Sequence, residues 1–235
     1  KGTMDSPNVY LPMDRRHALV QGRDLPDRTT GAALFADISG FTPLTEALVR
    51  ELGPQRGAEE LTRYLNLVYD AVIDELHRYG GSVIAFAGDA ITCWLDGDTG
   101  LRATACALAM QSAMQQFAAI TTPAGSTVAL AMKAAVAAGP VRRFLVGEPG
   151  VRVIDVLAGA TLVRLANAEH QAKRGDTVVD AATLAGIGDA INVSEQRYDA
   201  GYDQTVGVVT GLHQPVAPNP WPTFPAYALR PEQIQ

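Results

Sequence analysis

Residues 35–42 read Phe-Ala-Asp-Ile-Ser-Gly-Phe-Thr and join a short apolar run to a turn. The run at residues 32–36 predicts a buried strand that ends at Asp37. The glycine of the stretch turns the chain, and Pro43 suits the first turn of a following helix. Free N–H groups at a helix start can hold a phosphate, and a carboxylate beside a phosphate needs a cation between them. The stretch therefore predicts a phosphate site with Mg²⁺ at Asp37, unless Asp37 serves as a cap of the turn.

A second stretch, residues 80–90, reads Gly-Gly-Ser-Val-Ile-Ala-Phe-Ala-Gly-Asp-Ala. Apolar runs at residues 82–86 and 90–95 flank a tight connection, which predicts a β-hairpin with Asp89 at its tip. Aspartate is also a common turn residue, so Asp89 alone indicates little. If the hairpin lies beside the first strand, Asp37 and Asp89 share one rim of the sheet and could hold two metal ions about 3.5–4 Å apart.

The rest of the chain alternates helical and extended patterns. The predicted helices span residues 58–79, 101–118, 161–169 and 181–185, and the predicted strands span residues 127–138, 151–156 and 177–179. Gly139 and Pro140 predict the end of the strand that precedes them. Helices that alternate with strands around a hairpin predict an α/β sandwich, in which helices pack against a mixed sheet.

The composition is that of a globular protein, with 47% apolar residues, 19% charged residues and a net charge of −6 over 235 residues. No Lys/Arg-rich run stands out, which argues against a nucleic-acid partner. No apolar run reaches the roughly 20 residues of a membrane span, which argues against a membrane partner. Cys93 and Cys106 are too few for a disulfide framework and suit buried positions in a reducing compartment. The expected localisation is therefore cytoplasmic.

Three segments are expected along the chain. Residues 1–30 are polar and predict an extended lead-in, and residues 1–4 are interpreted as a tag remnant. Residues 31–214 are expected to form the folded domain. Residues 215–235 contain six prolines and predict an extended arm or linker toward a further domain.

Together, the stretches at residues 35–42 and 80–90 resemble the paired signature of class III adenylyl and guanylyl cyclases. Residues 56–61 and 156–169 are also similar to the first catalytic domain of the soluble, bicarbonate-responsive adenylyl cyclases and their bacterial relatives. The resemblance covers residues 31–182. It implies a ferredoxin-like cyclase fold, active as a head-to-tail dimer, that converts ATP to 3′,5′-cyclic AMP and pyrophosphate with two Mg²⁺ or Mn²⁺ ions. This resemblance alone favours ATP over GTP.

The resemblance implies a role for each matching residue. Asp37 and Asp89 match the two metal-binding aspartates, and Arg164 matches the arginine that stabilises the transition state. The segment whose backbone holds the triphosphate corresponds to Ile38, Ser39, Gly40, Phe41 and Thr42.

The base-binding positions of the family are apolar in this chain. The base-recognising lysine corresponds to Ala85, its Asp or Thr partner to Val153, and the ribose-positioning asparagine to Ala160. The resemblance therefore implies that this domain supplies the metal-binding half of the site and that a second cyclase domain supplies the other half. The alternative is a regulatory domain that binds nucleotide, metal or an anion and controls a partner, although such a domain needs no pair of rim carboxylates.

The bicarbonate site implied for the soluble cyclases uses a lysine and an arginine, which correspond to Ala85 and Arg164. One of the two cations is therefore missing. Arg164 is expected to be drawn to a neighbouring acid such as Asp155 or Glu169. An anion in a half-buried site needs paired charge to offset its desolvation, so weak or absent bicarbonate sensing is expected.

Overall fold

A computed structural model describes residues 11–148 and 152–223. Within these residues the helices are α1 Met13–Val20, α2 Phe41–Leu52, α3 Pro54–Arg78, α4 Leu101–Met114, α5 Ala160–Gln171 and α6 Ala181–Ile187, with 3₁₀ turns at Gln115–Phe117 and Gly188–Ala190. The strands are β1 Arg28–Ser39, β2 Ser82–Ala87, β3 Ala90–Asp96, β4 Ile120–Thr121, β5 Thr127–Val128, β6 Ala131–Glu148, β7 Arg152–Ala158, β8 Thr177–Asp180, β9 Ile191–Asp199 and β10 Gln204–Leu212. Among these helices, none has the length and apolarity needed to cross a membrane.

Strand β1 lies inside an eight-stranded mixed sheet formed by the described residues. It pairs antiparallel with β3 on one side and with β6 on the other, and β6 pairs in parallel with β8. The β9–β10 hairpin completes that side of the sheet, β2 forms the opposite edge, and β7 pairs with the far end of β6. The predicted architecture of helices packed against a mixed sheet is confirmed.

Successive side chains of β1 point to opposite faces of the sheet, and residues on both faces are buried. Leu34 and Ile38 are fully buried in a core that also contains residues of α2, α3 and α4. Ala33 faces the other way, into a second core with Ala135 of β6 and Leu165 of α5. A strand buried on both faces reads as an uninterrupted apolar run, which is the pattern of residues 32–36.

The N-terminal segment contradicts the expectation of an extended lead-in, because it contains helix α1. The helix buries Asp14, Arg15 and His17, so its inward face is polar and shows no hydrophobic periodicity. Ion pairs compensate the buried charges. Arg143 of β6 pairs with Asp14, its Nε lies 2.7 Å from Asp155 Oδ1, and Arg15 Nη2 lies 2.8 Å from the same oxygen.

The predicted strand end at Gly139 and Pro140 is wrong, since β6 continues through both residues. Strand β6 pairs with β8 through residue 136 and with β7 from residue 142. Pro140 falls between these two ladders, where its missing N–H breaks no hydrogen bond to either strand. Gly139 has φ +150, and a Cβ there would lie 2.8 Å from Thr161 Oγ1. The close approach of α5 therefore requires glycine at this position.

The sequence pattern also does not predict the β9–β10 hairpin, because β9 is polar and largely exposed.

The first part of the proline-rich arm packs against the domain. Trp221 stacks on His17 of α1 with ring centroids 4.6 Å apart, and its Nε1 donates to the Gly81 carbonyl at 2.7 Å. The interpreted tag remnant and the remainder of the arm lie outside the described residues.

Candidate active site

Asp37 and Asp89 lie on neighbouring strands at one rim of the sheet. Asp37 is opposite Ala90 in the β1–β3 register, and Asp89 directly precedes Ala90 at the tip of the β2–β3 hairpin. The backbones are joined there, since the Ile38 N–H donates to the Asp89 carbonyl at 3.2 Å. The Asp37 side chain is 27% exposed and Asp89 is exposed, so a ligand can reach both residues from this rim.

The turn after Asp37 leads directly into α2. Gly40 adopts φ +109, and a Cβ there would lie 2.5 Å from the Ala129 carbonyl oxygen, so a larger residue does not fit. Helix α2 begins at Phe41, and no side chain caps its N-terminus. The predicted phosphate segment, residues 38–42, therefore ends in backbone N–H groups that have no side-chain acceptor at the cap.

Lys133, which the sequence analysis does not single out, also lies at this rim. It is opposite Asp37 in the β1–β6 register, and its Nζ is 3.3 Å from Asp37 Oδ2 and 2.5 Å from Oε1 of Glu169 on α5. Burial disfavours the ammonium, but the hydrogen bonds and charges of Glu169 and Asp37 outweigh burial and raise the pKa of Lys133. The signal in the sequence is a lone lysine inside an apolar strand, where a charge needs partners.

Tyr69 of α3 packs against the hairpin tip. Its ring meets Phe86 edge-on, with centroids 5.7 Å apart and an interplanar angle of 77°, and its hydroxyl lies 3.4 Å from the Gly88 carbonyl oxygen. Burial, followed by the charges of Asp89 and Asp37, raises the pKa of Tyr69. The phenol therefore stays protonated and donates to the backbone that carries Asp89.

The structure does not bring Arg164 to the rim aspartates. Its Nε lies 2.7 Å from Asp180 Oδ2, and its Nη2 lies 2.6 Å from the Ala138 carbonyl oxygen. Ala138 is five residues beyond Lys133 on β6, which corresponds to about 16 Å at the rise of a β-strand. Arg164 therefore cannot act on a ligand held by Asp37 in the same copy of the domain.

Arg164 is held by an acid, as expected, but the acid is Asp180 and neither of the named examples, Asp155 and Glu169. Asp155 lies in the ion-pair cluster beside α1, and Glu169 pairs with the rim lysine. The Asp180 side chain is fully buried and also caps α6 by accepting from the Thr183 N–H at 3.2 Å. Arg164 balances this buried charge and ties α5 to β6 and α6.

Both the sequence and the fold match proteins of one family. Adenylate cyclase type 10 of Homo sapiens is 35% identical over 92 residues, covering 37% of this chain and 6% of that protein, and the Rattus norvegicus protein is 37% identical over 78 residues, covering 31% and 5%. The guanylyl cyclase Cya2 has a TM-score of 0.63 and 25% identity, covering 80% of this chain and 95% of that chain. The chain is therefore similar in sequence and fold to class III nucleotide cyclase domains.

A further solved structure supports the fold of this chain. The adenylyl cyclase CyaB from P. aeruginosa has a TM-score of 0.63 and 22% identity, covering 78% of this chain and 95% of that chain. No family model matches the sequence. The matched segments span 4–6% of the length of the adenylate cyclase type 10 proteins, so this chain is similar to only a small part of those proteins. The predicted family and fold are confirmed.

The positions that the family resemblance assigns to base and ribose binding are apolar and accessible in this chain. Ala85 is exposed on β2, Val153 is half-buried on β7, and Ala160 is exposed at the start of α5. None of these side chains can donate or accept a hydrogen bond. A single copy of this domain therefore offers no polar contact to a base or a ribose at these three positions.

The rim that carries Asp37 and Asp89 suits Mg²⁺ or Mn²⁺, because hard cations of this kind prefer carboxylate oxygens. Residues 11–148 and 152–223 contain no group of three or more His, Cys, Asp or Glu side chains placed to hold a metal. Mg²⁺ commonly binds through one or two carboxylates together with substrate phosphates. The donors present therefore fit a metal that is shared with a triphosphate.

Proposed function

We propose that this cyclase domain supplies the metal-binding half of a two-domain active site that converts ATP to 3′,5′-cyclic AMP and pyrophosphate. The observation that carries the proposal is the placement of Asp37 and Asp89 side by side on the sheet rim, next to the uncapped start of α2. Two carboxylates beside a row of free N–H groups suit a metal-bound triphosphate.

The residues of this chain would act by binding and orienting the substrate. Asp37 and Asp89 would hold two divalent ions, and the free N–H groups of residues 38–42, at the uncapped start of α2, would donate to phosphate oxygens. Bound Mg²⁺ or Mn²⁺ supplies Lewis-acid chemistry, which lowers the pKa of the ribose 3′-hydroxyl and offsets phosphate charge. Phosphoryl transfer depends chiefly on positioning and charge neutralisation, which is the contribution assigned to this rim.

A second, non-identical cyclase domain would supply the base side of the site in a head-to-tail dimer. Ala85, Val153 and Ala160 support this division, since they offer no polar contact to a nucleoside. Arg164 supports it as well, because Asp180 already engages its guanidinium. We propose ATP rather than GTP because the curated relatives are adenylate cyclases, whereas the similar solved structures include cyclases of both kinds.

A cytoplasmic location is part of the proposal. Cys93 and Cys106 are buried free thiols. Burial raises the pKa of both thiols, which keeps them protonated and unreactive. Free buried thiols suit a reducing compartment.

A regulatory domain without catalysis is the second candidate function. The observation in its favour is the ion pair between Lys133 and Asp37, which neutralises one of the two rim carboxylates. In that function, the domain would bind a nucleotide or another anion and control a partner enzyme. The two functions differ in one requirement, because catalysis needs both carboxylates on metal and anion binding does not.

Crystals soaked with Mn²⁺ and a non-hydrolysable ATP analogue test the proposal, with the metal located by anomalous scattering. Mn²⁺ bound jointly by Asp37 and Asp89 would support it, and Mn²⁺ bound elsewhere would exclude it. Asp37→Asn should lose the metal. The matched control is Asp27→Asn, at the opposite end of β1 with a side chain 75% exposed, which should keep the metal.

A further inference from the structure

We propose that Glu169 is a positioning residue that favours metal binding at Asp37 by holding the ammonium of Lys133. The inference rests on the proposed function, since it takes Asp37 as a metal ligand. It adds a residue of α5 to which the family resemblance assigns no role at the site.

Lys133 lies between two carboxylates, and Glu169 is the closer one. Its Nζ is 2.5 Å from Glu169 Oε1 and 3.3 Å from Asp37 Oδ2. The side chains of Lys133, Asp37 and Glu169 are 26%, 27% and 19% exposed. Partial exclusion of water makes these charge interactions stronger than those of a fully exposed pair. The arrangement is built on rigid elements, because Lys133 belongs to β6 and Glu169 to the helix α5 that packs on the sheet.

A metal ion and the Lys133 ammonium compete for the same Asp37 carboxylate. Because Glu169 binds the ammonium at the shorter distance, Asp37 can release Lys133 and bind a metal while Lys133 keeps its ion pair with Glu169. Without Glu169, Asp37 would be the remaining carboxylate paired with Lys133 among the described residues. Metal binding to Asp37 would then leave the partly buried Lys133 ammonium unpaired, which is unfavourable.

The charge balance at the rim agrees with this role. The carboxylates of Asp37, Asp89 and Glu169 and the ammonium of Lys133 leave an excess of two negative charges, which one divalent ion balances without nucleotide; the charge of a triphosphate would balance the second proposed ion. A Glu169 that merely ties α5 to β6 would contribute to folding and leave metal affinity unchanged. The two roles therefore differ in a measurable property.

The test is a double-mutant cycle on the Mn²⁺ affinity of the intact chain, measured by electron paramagnetic resonance up to millimolar Mn²⁺ without nucleotide. Glu169→Gln should weaken Mn²⁺ binding roughly tenfold, and Lys133→Met should not weaken it. In the Lys133→Met background, Glu169→Gln should change the affinity by less than about twofold, because no ammonium remains to be held. The control Glu195→Gln removes a carboxylate that pairs with Arg197 and should leave the affinity within about twofold of wild type.

Equal losses from Glu169→Gln in both backgrounds, or no loss in the wild-type background, would overturn the inference. Failure of the proposed function has a different signature: the wild-type chain shows no saturable Mn²⁺ binding, or its binding survives Asp37→Asn. Urea unfolding of each variant separates loss of folding from loss of binding. If Glu169→Gln does not fold, the cycle is run with Glu169→Met.

Discussion

Arg164 and Asp180 form an ion pair in which Nε lies 2.7 Å from Oδ2, and the Asp180 side chain is 0% exposed. Removal of the guanidinium would leave a buried carboxylate without its counter-charge. Arg164→Met should therefore destabilise the domain by about 3 kcal/mol, measured as the free energy of urea unfolding. The matched control is Arg142→Met, since Arg142 lies 3.8 Å from the exposed Asp27 and should contribute less than about 1 kcal/mol. Equal, small losses in both variants would contradict the structural role of Arg164.

Bicarbonate should stimulate the proposed two-domain enzyme weakly or not at all. Asp180 engages Arg164, and Ala85 offers no second cation, so a bound bicarbonate would lose its hydration without gaining paired charge. Activity is measured against bicarbonate at constant pH and ionic strength, with chloride as the control anion. A saturable stimulation that disappears in Arg164→Ala would show that the prediction is wrong.

The isolated chain should produce little or no cyclic AMP. Ala85, Val153 and Ala160 leave a symmetric dimer without polar contacts to base and ribose. Loss of these positioning contacts raises the activation free energy by several kcal/mol and slows the reaction roughly a thousandfold, since each 1.36 kcal/mol is about tenfold in rate. The measurement compares cyclic AMP production by the chain alone and by the two-domain protein. Comparable rates would refute the divided site.

Asp37→Asn and Asp89→Asn should each lower kcat of the two-domain protein by roughly a hundredfold or more, because each removes a proposed metal ligand. Folding should be retained, as both positions are on the rim and outside the apolar cores. Circular dichroism checks folding, and Asp27→Asn is the control, with an expected kcat near that of wild type. Full activity in either rim variant would rule out the two-carboxylate site.

Asp155 should make stability depend on pH. Burial opposes its charge, but hydrogen bonds and charges from Arg15 and Arg143 outweigh burial and lower the pKa of Asp155 below its ordinary value of 3.8. The folded pKa is below the unfolded one, so the stabilisation is present above about pH 4 and is lost as pH falls through the folded pKa. Asp155→Asn should be less stable than wild type by about 3 kcal/mol at pH 7, and the difference should shrink below about pH 4. A difference that does not change between pH 7 and pH 3 would contradict this account.

Much of the fold could be predicted because its signals are local. A buried strand that runs through a glycine turn into a helix, and a hairpin with Gly88 and Asp89 at its tip, depend on residues close together in sequence. The same local patterns place Asp37 and Asp89 at strand and hairpin ends. Helix α1 could not be predicted in this way, since its inward face is made of charges whose partners are distant in sequence.

The sequence by itself determined the α/β architecture and the rim position of the two aspartates, because apolar periodicity and turn residues act over short distances. The family was indicated by the resemblance of residues 35–42 and 80–90 to a known motif pair. The pairing of charges was decided by the tertiary structure alone. Several acidic residues near Arg164 in the sequence could have been its ion-pair partner. The packing of α5 against β6 and α6 places Asp180 within reach of its guanidinium. In the same way, only the β1–β6 register and the position of α5 brought Lys133 between Asp37 and Glu169. Ion pairs form between groups that the fold brings within a few ångströms, and a linear charge pattern does not encode that distance.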